Sequence, residues 1–365
     1  MKHLIFLCLS ICLFSCSGKK INEIGELSIY DSISIPIDFP ILSQYTKLKP
    51  YCNGDSLYIT GYNHYEHSID FINLADGEHF IIPLQHEGSN GVLPVQDYCF
   101  AADKIVCKDE SGILTLDMDG NVIDRLPVKE LVAPPEEYSV RPLGASLGNF
   151  LYMNNWGSKI FIPLSPTPKG EKVHIGKIYD ISQRSLEFLP PYYPTEIVGY
   201  TQYLGSLSVP DINMYGTDKI VYNYPFSSLV YLYDTKTATT EILDIQTKTI
   251  ENNIDFEKWK GLNVVDKVKQ ELYMSRFGKV YYSLSTGKYY RIHWTMREEG
   301  KGKLRGIYLM IFDKKGNSLK EYLLPSHFSE QYFFFQDTLY FACRSSNDTS
   351  FNVVRISLEM IGQDK

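Results

Sequence analysis

An all-β fold is predicted for this chain of 365 residues: a six-bladed β-propeller of four-stranded blades, with the ring closed by an N-terminal strand. Three observations predict it. A short turn-to-strand motif occurs six times, a second hairpin follows the first five copies, and the last copy lacks one strand of a complete unit. Radial repetition of four-stranded sheets is the propeller arrangement, which also protects the strand edges.

The motif consists of a turn residue, then Asp, Asn or Gly, then one free position and a run of apolar residues. It reads GDSLYI from Gly54 and QDTLYF from Gln336. The other copies are ADKIVC, GNFLYM, TDKIVY and TGKYYR, which begin at Ala102, Gly148, Thr217 and Thr286. FGKVYY from Phe277 competes with the fifth copy. Because Asp, Asn and Gly tolerate the positive φ of tight turns, each copy predicts the hairpin between the first and second strands of a unit.

A second hairpin follows within each of the first five units. The segments are SIDFINLADGEHFIIPL, GILTLDMDGNVIDRLPV, KIYDISQRSLEFLP, LVYLYDTKTATTEIL and GIYLMIFDKKGNSLKEYLLP, from Ser68, Gly112, Lys177, Leu229 and Gly306. Each contains an apolar strand, a polar turn and another strand, so that one unit has four strands. Motif spacings of about 46 to 69 residues are in the range of propeller blades with insertions. The 28 Tyr and 19 Phe residues agree with a chain made mostly of strands.

The sixth unit supplies only three strands, expected near residues 330–335, 337–344 and 351–358, before the chain ends. The segment Glu26–Ile37 reads ELSIYDSISIPI, is rich in β-branched residues and belongs to no other unit. We therefore expect it to complete the sixth blade, which makes the first and last copies of the motif neighbours in a closed ring.

One segment, Asn253–Phe277, departs from the strand pattern. Its apolar residues recur at helical spacing: Ile254, Phe256, Trp259, Leu262, Val265, Val268 and Leu272. This spacing predicts one or two short helices between blades four and five. We interpret the stripe as packing against the blades rather than as a partner surface.

The amino-terminal residues indicate the cellular localisation of the protein. Lys2 gives a positive start, and the apolar run of residues 4–14 has the length of a signal peptide and is too short to span a bilayer. The run ends in LFSC at Cys16, which resembles a bacterial lipobox, the signal after which the Cys is lipidated. The alternative is a plain secretory signal with a chance Cys.

These features divide the chain into a lipoprotein signal peptide at 1–15, a lipidated tether at 16–25 and a single propeller domain at 26–365. Acyl chains on Cys16 would attach the protein to a membrane. The formal net charge is −7, and no basic cluster is longer than Lys19-Lys20, so a nucleic-acid partner is not expected.

Four cysteines remain when the signal and Cys16 are left aside: Cys52, Cys99, Cys107 and Cys343. They form no CxxC motif and no zinc-site spacing. Cys99 and Cys107 are expected on neighbouring strands of one hairpin, and whether they face each other depends on the register. The sequence does not decide whether Cys99 and Cys107 form a disulfide. The favoured interpretation is that all four cysteines are small, buried, apolar side chains.

The LFSC box, a mature length near 350 residues and six Tyr-rich blades together resemble the lipoproteins of Bacteroidetes that are grouped as domain of unknown function 4221. More broadly they are similar to TolB-like six-bladed propellers. The resemblance covers the whole mature chain and implies the fold and an outer-membrane location, but no catalytic residues. The SGKK segment after the lipobox lacks the acidic run that marks surface-exported lipoproteins of these bacteria. This favours the periplasmic face, with the cell surface as the alternative.

No motif of an enzyme stands out. HExxH, P-loop and GxGxxG patterns are missing, and His64 with His67 is a weak metal signal. We therefore expect a non-enzymatic protein without catalytic residues, cofactor or metal. The alternative is a carbohydrate-active or other hydrolytic enzyme whose residues lie on separate blades. A purely structural envelope component is a third interpretation.

A binding face is predicted from the loops between the second and third strands of each blade and from the connections to the next blade. These emerge together around the mouth of the central channel. The candidate ligand-binding residues are Tyr62, His64, His67, Asn154, Trp156, Tyr192, Tyr224, His293, Trp294, Arg297 and Arg344. Flat rings beside amide, imidazole and guanidinium groups suit a glycan, a peptide or an envelope protein. In the alternative interpretation, these aromatic residues cap the ends of the blades.

Overall fold

The computed structural model describes residues 24–36, 45–101, 103–133, 138–139, 152–153, 158–166, 173–198, 204–215, 218–250, 254–295, 306–343 and 350–363. Six four-stranded antiparallel sheets form the blades of a propeller, which confirms the predicted fold. The first strands of neighbouring blades approach one another and surround the axis.

The strands are assigned to blades as follows. Two N-terminal strands are β1 (Ile24–Glu26) and β2 (Asp31–Pro36). Blade one contains β3 (Tyr45–Asn53), β4 (Ser56–Asn63), β5 (Ser68–Asn73) and β6 (His79–Pro83). Blade two contains β7 (Asp97–Ala101), β8 (Lys104–Lys108), β9 (Gly112–Leu116) and β10 (Val122–Pro127). Next in the chain come β11 (Tyr138–Ser139), β12 (Tyr152–Met153), β13 (Lys159–Pro163), β14 (Ser165–Pro166), β15 (Gly176–Asp180) and β16 (Ser185–Phe188).

Of these six, β12, β13, β15 and β16 form blade three, and β11 pairs with β14 separately. Blade four contains β17 (Asp211–Tyr215), β18 (Lys219–Asn223), β19 (Leu229–Asp234) and β20 (Thr239–Asp244). Blade five contains β21 (Arg276–Tyr282), β22 (Tyr289–Trp294), β23 (Ile307–Phe312) and β24 (Ser318–Leu323). Blade six contains β25 (Phe328–Phe335), β26 (Thr338–Cys343) and β27 (Ser350–Ser357). The helices are α1 (Val128–Leu131), α2 (Thr195–Val198), a 3₁₀ turn (Gly205–Ser208), α3 (Phe256–Gly261), α4 (Val264–Tyr273) and α5 (Leu358–Gln363).

The repeated motif forms the expected turn in the first and last copies. Gly54, between β3 and β4, has φ +58°, while Gln336 and Asp337, between β25 and β26, have φ +43° and +55°. These values match the tight hairpin turns that fit the twist of the strands. In blade five the copy from Thr286 enters the second strand, and the competing Phe277 segment lies in the first.

Blade three differs from the expectation. The GNFLYM copy was expected to lead into a second strand, but the sheet order β12-β13-β15-β16 makes Tyr152–Met153 the first strand. The second strand is β13, with the sequence KIFIP. The prediction was wrong because a turn followed by alternating apolar residues identifies a strand entry without specifying which hairpin of the blade it belongs to.

The N-terminal strand closes the ring as predicted. β2 pairs antiparallel with β27, from Asp31 opposite Arg355 to Pro36 opposite Ser350, and so becomes the fourth strand of blade six. The sequence analysis did not foresee β1, which pairs parallel with β24 as a fifth strand of blade five. β1 covers the outer edge of that blade, where unpaired backbone groups would otherwise be exposed.

The core is divided among the six interfaces between blades. Each pair of neighbouring blades shares one cluster of buried apolar side chains. In β4, Tyr58 packs toward blade two and the next residue, Ile59, toward blade six. Because side chains alternate between the faces of a strand, both faces of a blade are buried, and the strands read as nearly continuous apolar runs.

Two helices lie between blades four and five, as predicted. Asp255 caps α3 by accepting a hydrogen bond from the Lys258 backbone N–H at 3.1 Å. Trp259 is buried in the cluster between blades three and four. The packing interpretation is wrong for Val265 and Val268, which are 74% and 52% exposed. Helical spacing shows that residues share a face, but it cannot show which face meets the protein. Among the described residues, no helix is long and apolar enough to cross a membrane.

The four cysteines among the described residues, Cys52, Cys99, Cys107 and Cys343, are free thiols. The register of β7 and β8 places Tyr98 opposite Cys107 and Cys99 opposite Val106. Cys99 therefore packs toward blade three and Cys107 toward blade one, on opposite faces of the sheet. This register excludes the disulfide that the sequence analysis left open.

Candidate functional site

Most candidates on blade one have their polar atoms bound within the blade. His67 Nε2 lies 2.8 Å from the Val92 carbonyl, and because a carbonyl only accepts, Nε2 must donate. Nδ1 then accepts a hydrogen bond of 2.8 Å from the Tyr62 hydroxyl. Burial lowers the pKa of His67, which favours this neutral form. Tyr62 and His67 are buried, whereas His64 is exposed.

The candidates on blades four and five are also buried. Tyr224, His293 and Trp294 have little or no exposed surface. His293 stacks on Tyr308 with ring centroids 5.1 Å apart, and its Nε2 lies 2.7 Å from the Thr249 hydroxyl. Burial, assisted by the nearby Arg291 charge, lowers the pKa of His293 to about 3. These residues fit the alternative interpretation, in which the aromatic groups cap the blade ends.

The remaining candidates divide into two groups. Tyr192, in the connection after blade three, is 48% exposed and packs against His174 with ring centroids 4.4 Å apart. Asn154, Trp156, Arg297, Arg344 and the lipobox Cys16 lie outside the described residues. Of the described candidates, His64 and Tyr192 are the two that face solvent. His64 is on blade one and Tyr192 follows blade three, so these two residues belong to different parts of the ring.

A different set of side chains converges on the mouth of the channel. The first strands of four blades supply them, near the end where the chain enters each blade. We call this set the channel cluster: Lys47 and Lys49 on β3, Asp97 on β7, Asp211 on β17 and Lys279 on β21. Four of the five are buried, and Lys279 is half-buried. Charged residues are rarely buried unless they are paired or functional, so the cluster is the candidate site of this structure.

Two β-bulges belong to this arrangement. The register of β3 shifts between Tyr45 and Leu48, around Lys47, and the register of β21 shifts between Phe277 and Val280, around Lys279. A bulge adds a residue to one strand and changes the direction of its side chains, and bulges are frequent next to active sites. The bulges therefore account locally for two lysines on strands that are otherwise largely apolar.

The bulge in β21 is fixed by close contacts to Gly278. A Cβ at this position would lie 2.3 Å from the Tyr332 hydroxyl oxygen on β25, so that a side chain would force a shift. The Gly278 carbonyl accepts hydrogen bonds from Asn223 Nδ2 at 3.1 Å and from Arg291 Nε at 3.2 Å. Lys279 is thus held between blades four, five and six.

The charges of the channel cluster influence one another strongly. Lys49 Nζ lies 3.1 Å from Asp97 Oδ1 in a buried ion pair. Burial lowers the pKa of Lys47, although Asp97 and Asp211 act in the opposite direction. Burial lowers the pKa of Lys279 to about 7, again against the attraction of the two aspartates. Lys279 is therefore about half protonated at neutral pH.

Further basic groups surround the cluster. Lys108, at the end of β8, is buried, donates a hydrogen bond to Gln96 and has a pKa that burial lowers. Arg276, at the start of β21, is also buried, and its guanidinium lies 5.2 Å from the centre of the Trp294 ring. Burial raises the pKa of Glu271 to about 7, against the effect of Arg276.

Sequence reasoning missed this cluster because each strand contributes only one or two of its charged residues. The segments are KLKPY around Lys47 and Lys49, QDYCFA around Asp97, PDINMY around Asp211 and RFGKVYY around Lys279. No fixed spacing joins them, and they meet only when the ring closes. One sequence pattern could have revealed the cluster: a charged residue recurs in the first strand of several blades. Among the described residues, no group of three or more His, Cys, Asp or Glu side chains could hold a metal ion.

Comparison with known proteins agrees with the fold. The family described as Domain of unknown function (DUF4221) matches residues 26–323. A member of this family from Bacteroides vulgatus ATCC 8482 has a TM-score of 0.66 at 11% identity, with 92% of this chain and 98% of that chain covered. A protein of Bacteroides fragilis NCTC 9343 described as exported has a TM-score of 0.55, with the same identity and coverage. At 11% identity the likeness concerns the fold alone. No curated protein matches the chain.

Proposed function

We propose that this chain, which belongs to the DUF4221 family, is a lipid-anchored, non-enzymatic binding protein of the cell envelope. Cys16 would carry the lipid, and the propeller would face the periplasm from the outer membrane. The ligand would bind at the mouth of the central channel, on the face where the chain enters each blade.

The channel cluster is the observation that carries the binding proposal. Burying charged groups costs stability, so a purely structural ring would be better served by apolar side chains around its axis. Here three lysines and two aspartates of four blades meet at the mouth, and two of the lysines lie in β-bulges. Clustered ionisable groups with shifted pKa values in a concave place favour a functional site.

A ligand screen can test the proposed site. Envelope glycans and peptides would be titrated into the detergent-solubilised full-length protein, and binding would be followed by isothermal titration calorimetry. For a ligand that binds, Lys47→Met and Lys279→Met should each weaken the affinity, while the exposed Lys236→Met should not, since Lys236 lies far out on blade four in an ion pair with Asp218. An affinity that both channel variants leave unchanged would place the site elsewhere.

The anchor has a separate test. Cys16→Ser should abolish metabolic labelling with a fatty acid, because the thiol that would be acylated is replaced by a hydroxyl. Cys52→Ser is a suitable control, since Cys52 is an exposed thiol on the propeller itself. Labelling that persists in Cys16→Ser, or that never occurs in the wild type, would contradict the lipid anchor.

A further inference from the structure

We infer that β6, the outermost strand of blade one, is an edge at which two copies of this chain pair antiparallel, about a two-fold axis beside Ile81. The inference goes beyond ligand binding at the channel and does not depend on it. Four observations carry it: the absence of charge in β6, its exposed apolar side chains, the direction of its backbone groups and the match of the strand to itself.

β6 differs in charge from the other outer strands of the ring. Its sequence is HFIIP, without Asp, Glu, Lys or Arg. Charged side chains on an edge strand hinder its pairing with another chain, and native sheets commonly carry them there. The fourth strands of the other five blades each contain at least one: Asp31 on β2, Asp124 and Arg125 on β10, Glu187 on β16, Glu241 and Asp244 on β20, and Lys320 and Glu321 on β24. β6 therefore lacks the usual protection of an edge.

Apolar side chains on both faces of β6 reach solvent. Ile81 is 50% exposed, and Phe80 is 38% exposed. Phe80 stacks on Phe71 of β5, with ring centroids 4.4 Å apart, on the face toward blade two. Because neighbouring side chains of a strand alternate, Ile81 lies on the opposite face. A further strand at this edge would cover both side chains.

The backbone groups of Ile81 point away from the blade. At one end of the hairpin, the Leu84 N–H donates to the His67 carbonyl at 2.9 Å. At the other end, the Asn73 N–H donates to the Glu78 carbonyl at 2.8 Å. In an antiparallel ladder, residues bonded in this way alternate with residues whose N–H and C=O face outward, and the unbroken register makes Ile81 one of the latter. Within the described part of the chain, no strand pairs with this edge.

Neighbouring blades hold β6 at both ends. A Cβ on Gly120, in a turn of blade two, would lie 2.7 Å from the Pro83 carbonyl oxygen. A Cβ on Gly77, in the turn before β6, would lie 2.8 Å from Cγ2 of Ile35 in blade six. These close contacts fix the ends of the strand and leave its centre open. A strand that is already fixed loses little conformational freedom when it pairs, which favours association.

The chain itself contains an added strand of a similar kind. β1 pairs with the outer edge of β24, and the Leu27 N–H beyond it donates to the Leu323 carbonyl at 3.2 Å. β1 has only three residues, so a short ladder suffices at the edge of a blade within one chain. Pairing of similar length between separate chains must also offset the entropy of association, so the dimer should depend on protein concentration.

The edge of β6 is complementary to itself. In an antiparallel pair about Ile81, the Ile81 N–H of each copy donates to the Ile81 carbonyl of the other copy. The same register places Phe80 opposite Ile82 of the second copy. Apolar cross-strand pairs stabilise a sheet, and no like charges oppose each other here. Since two-fold pairs are the commonest assemblies of identical chains, a second copy is the occupant that this edge fits.

A charge at the axis tests the pairing. Native mass spectrometry of the detergent-solubilised full-length protein should show a dimer whose share rises with protein concentration. Ile81→Lys should raise the dissociation constant of this dimer about tenfold or more, because it places two ammonium groups beside each other. The matched control is Ile242→Lys on β20, since Ile242 is 55% exposed on the fourth strand of blade four. This control should leave the dimer unchanged.

Cross-linking tests the position of the axis. Ile81→Cys would be made in a Cys52→Ser background, which removes the exposed thiol of blade one. Because the two-fold axis places position 81 beside itself, a short bifunctional maleimide should join two copies of this variant. Ile242→Cys in the same background should give much less cross-linked dimer.

Three outcomes would overturn the inference. The first is a wild-type protein that remains a monomer at every concentration. The second is a dimer that Ile81→Lys and Ile242→Lys affect equally, in proteins whose thermal unfolding shows them to be folded, which would place the interface elsewhere. The third is a different protein that co-purifies with the monomer and is released by Ile81→Lys, which would give the edge another occupant.

Discussion

Among single residues, Arg291 shows how backbone carbonyls can accommodate a buried cation. It is fully buried, and its guanidinium donates hydrogen bonds to the carbonyls of Ser227 at 2.8 Å, Ser228 at 3.1 Å and Gly278 at 3.2 Å. The guanidinium also lies 4.1 Å from the centre of the Phe277 ring. Five donors in a rigid plane allow one side chain to join blade four to the bulge of blade five.

Replacing Arg291 should therefore destabilise the protein substantially. Arg291→Met removes three hydrogen bonds from a charged donor, and each such bond contributes about 1.5–3 kcal/mol. We expect a loss of about 3 kcal/mol or more in the free energy of unfolding, measured by chemical denaturation. The control is Arg355→Met, because Arg355 forms an exposed ion pair with Asp31, a type of contact that contributes about 0–1 kcal/mol. Equal effects of the two changes would contradict the structural role of Arg291.

His293 predicts a dependence of stability on pH. Its pKa is about 3 in the folded protein, below the ordinary value of about 6.5 in the unfolded chain. The unfolded chain then binds more protons, so this contribution is complete above about pH 6.5 and is lost as the pH falls toward 3. Between pH 6.5 and pH 5 the loss should be about 2 kcal/mol, since each unit is equivalent to about 1.4 kcal/mol.

His293→Gln isolates this contribution, because glutamine does not titrate. Chemical denaturation at the two pH values should show a smaller loss in the variant than in the wild type. The neighbouring Glu321 acts in the opposite direction, since burial raises its pKa and its contribution is lost as the pH rises. An identical pH dependence in His293→Gln and in the wild type would show that His293 takes up its proton at an ordinary pKa.

Among the strands, β2 has the largest predicted effect on the integrity of the ring. It supplies the fourth strand of blade six, and Ile35 is buried in the cluster that blade six shares with blade one. Deleting residues 16–23 should leave thermal stability nearly unchanged. Deleting residues 16–37 should lower the melting temperature sharply or cause aggregation, because it exposes the edge of β27 and removes a ladder of hydrogen bonds. Equal melting temperatures of the two truncated proteins would contradict closure by β2.

The strands were predictable from the sequence to the extent that their signals are local. Turn residues with positive φ and alternating apolar residues identified the hairpins, and counting strands identified the closing segment. The same local signals could not assign Tyr152–Met153 to the first strand of blade three, since every strand has the same period. They could not show that Val265 and Val268 face solvent, because helical spacing carries no information about the neighbouring element.

The candidate binding site could not be predicted from local signals, because its residues come from distant parts of the chain. The aromatic residues near the blade ends were visible in the sequence, but several of them, such as Tyr224 and Trp294, are buried. Lys47 and Lys279 are far apart in the chain, and both come to lie near Asp97 and Asp211 only through the order of the blades. A charged residue in an apolar strand is ambiguous until the ring shows that several such residues share one axis.

In the molecule as a whole, the apolar side chains that stabilise the ring and the charged side chains of the channel lie in different places. The six apolar clusters lie between the blades and hold the ring together. The charged side chains of the channel cluster lie on the first strands, around the axis, where burial makes Lys47 and Lys279 less stable as cations. Groups that serve binding rather than folding commonly carry such a cost in stability.

Lys47 and Lys49, two residues apart on β3, provide a direct test of this separation. Lys47→Met should raise the free energy of unfolding by about 1 kcal/mol, since it replaces a cation that burial disfavours with an apolar side chain of similar length. Lys49→Met should lower it by about 3–5 kcal/mol, because it removes the ion pair of 3.1 Å from the buried Asp97. Chemical denaturation of the two variants at pH 7 measures both effects under one condition. If Lys47→Met destabilises the protein as much as Lys49→Met, then Lys47 stabilises the ring, and its charge is not a cost that requires a ligand.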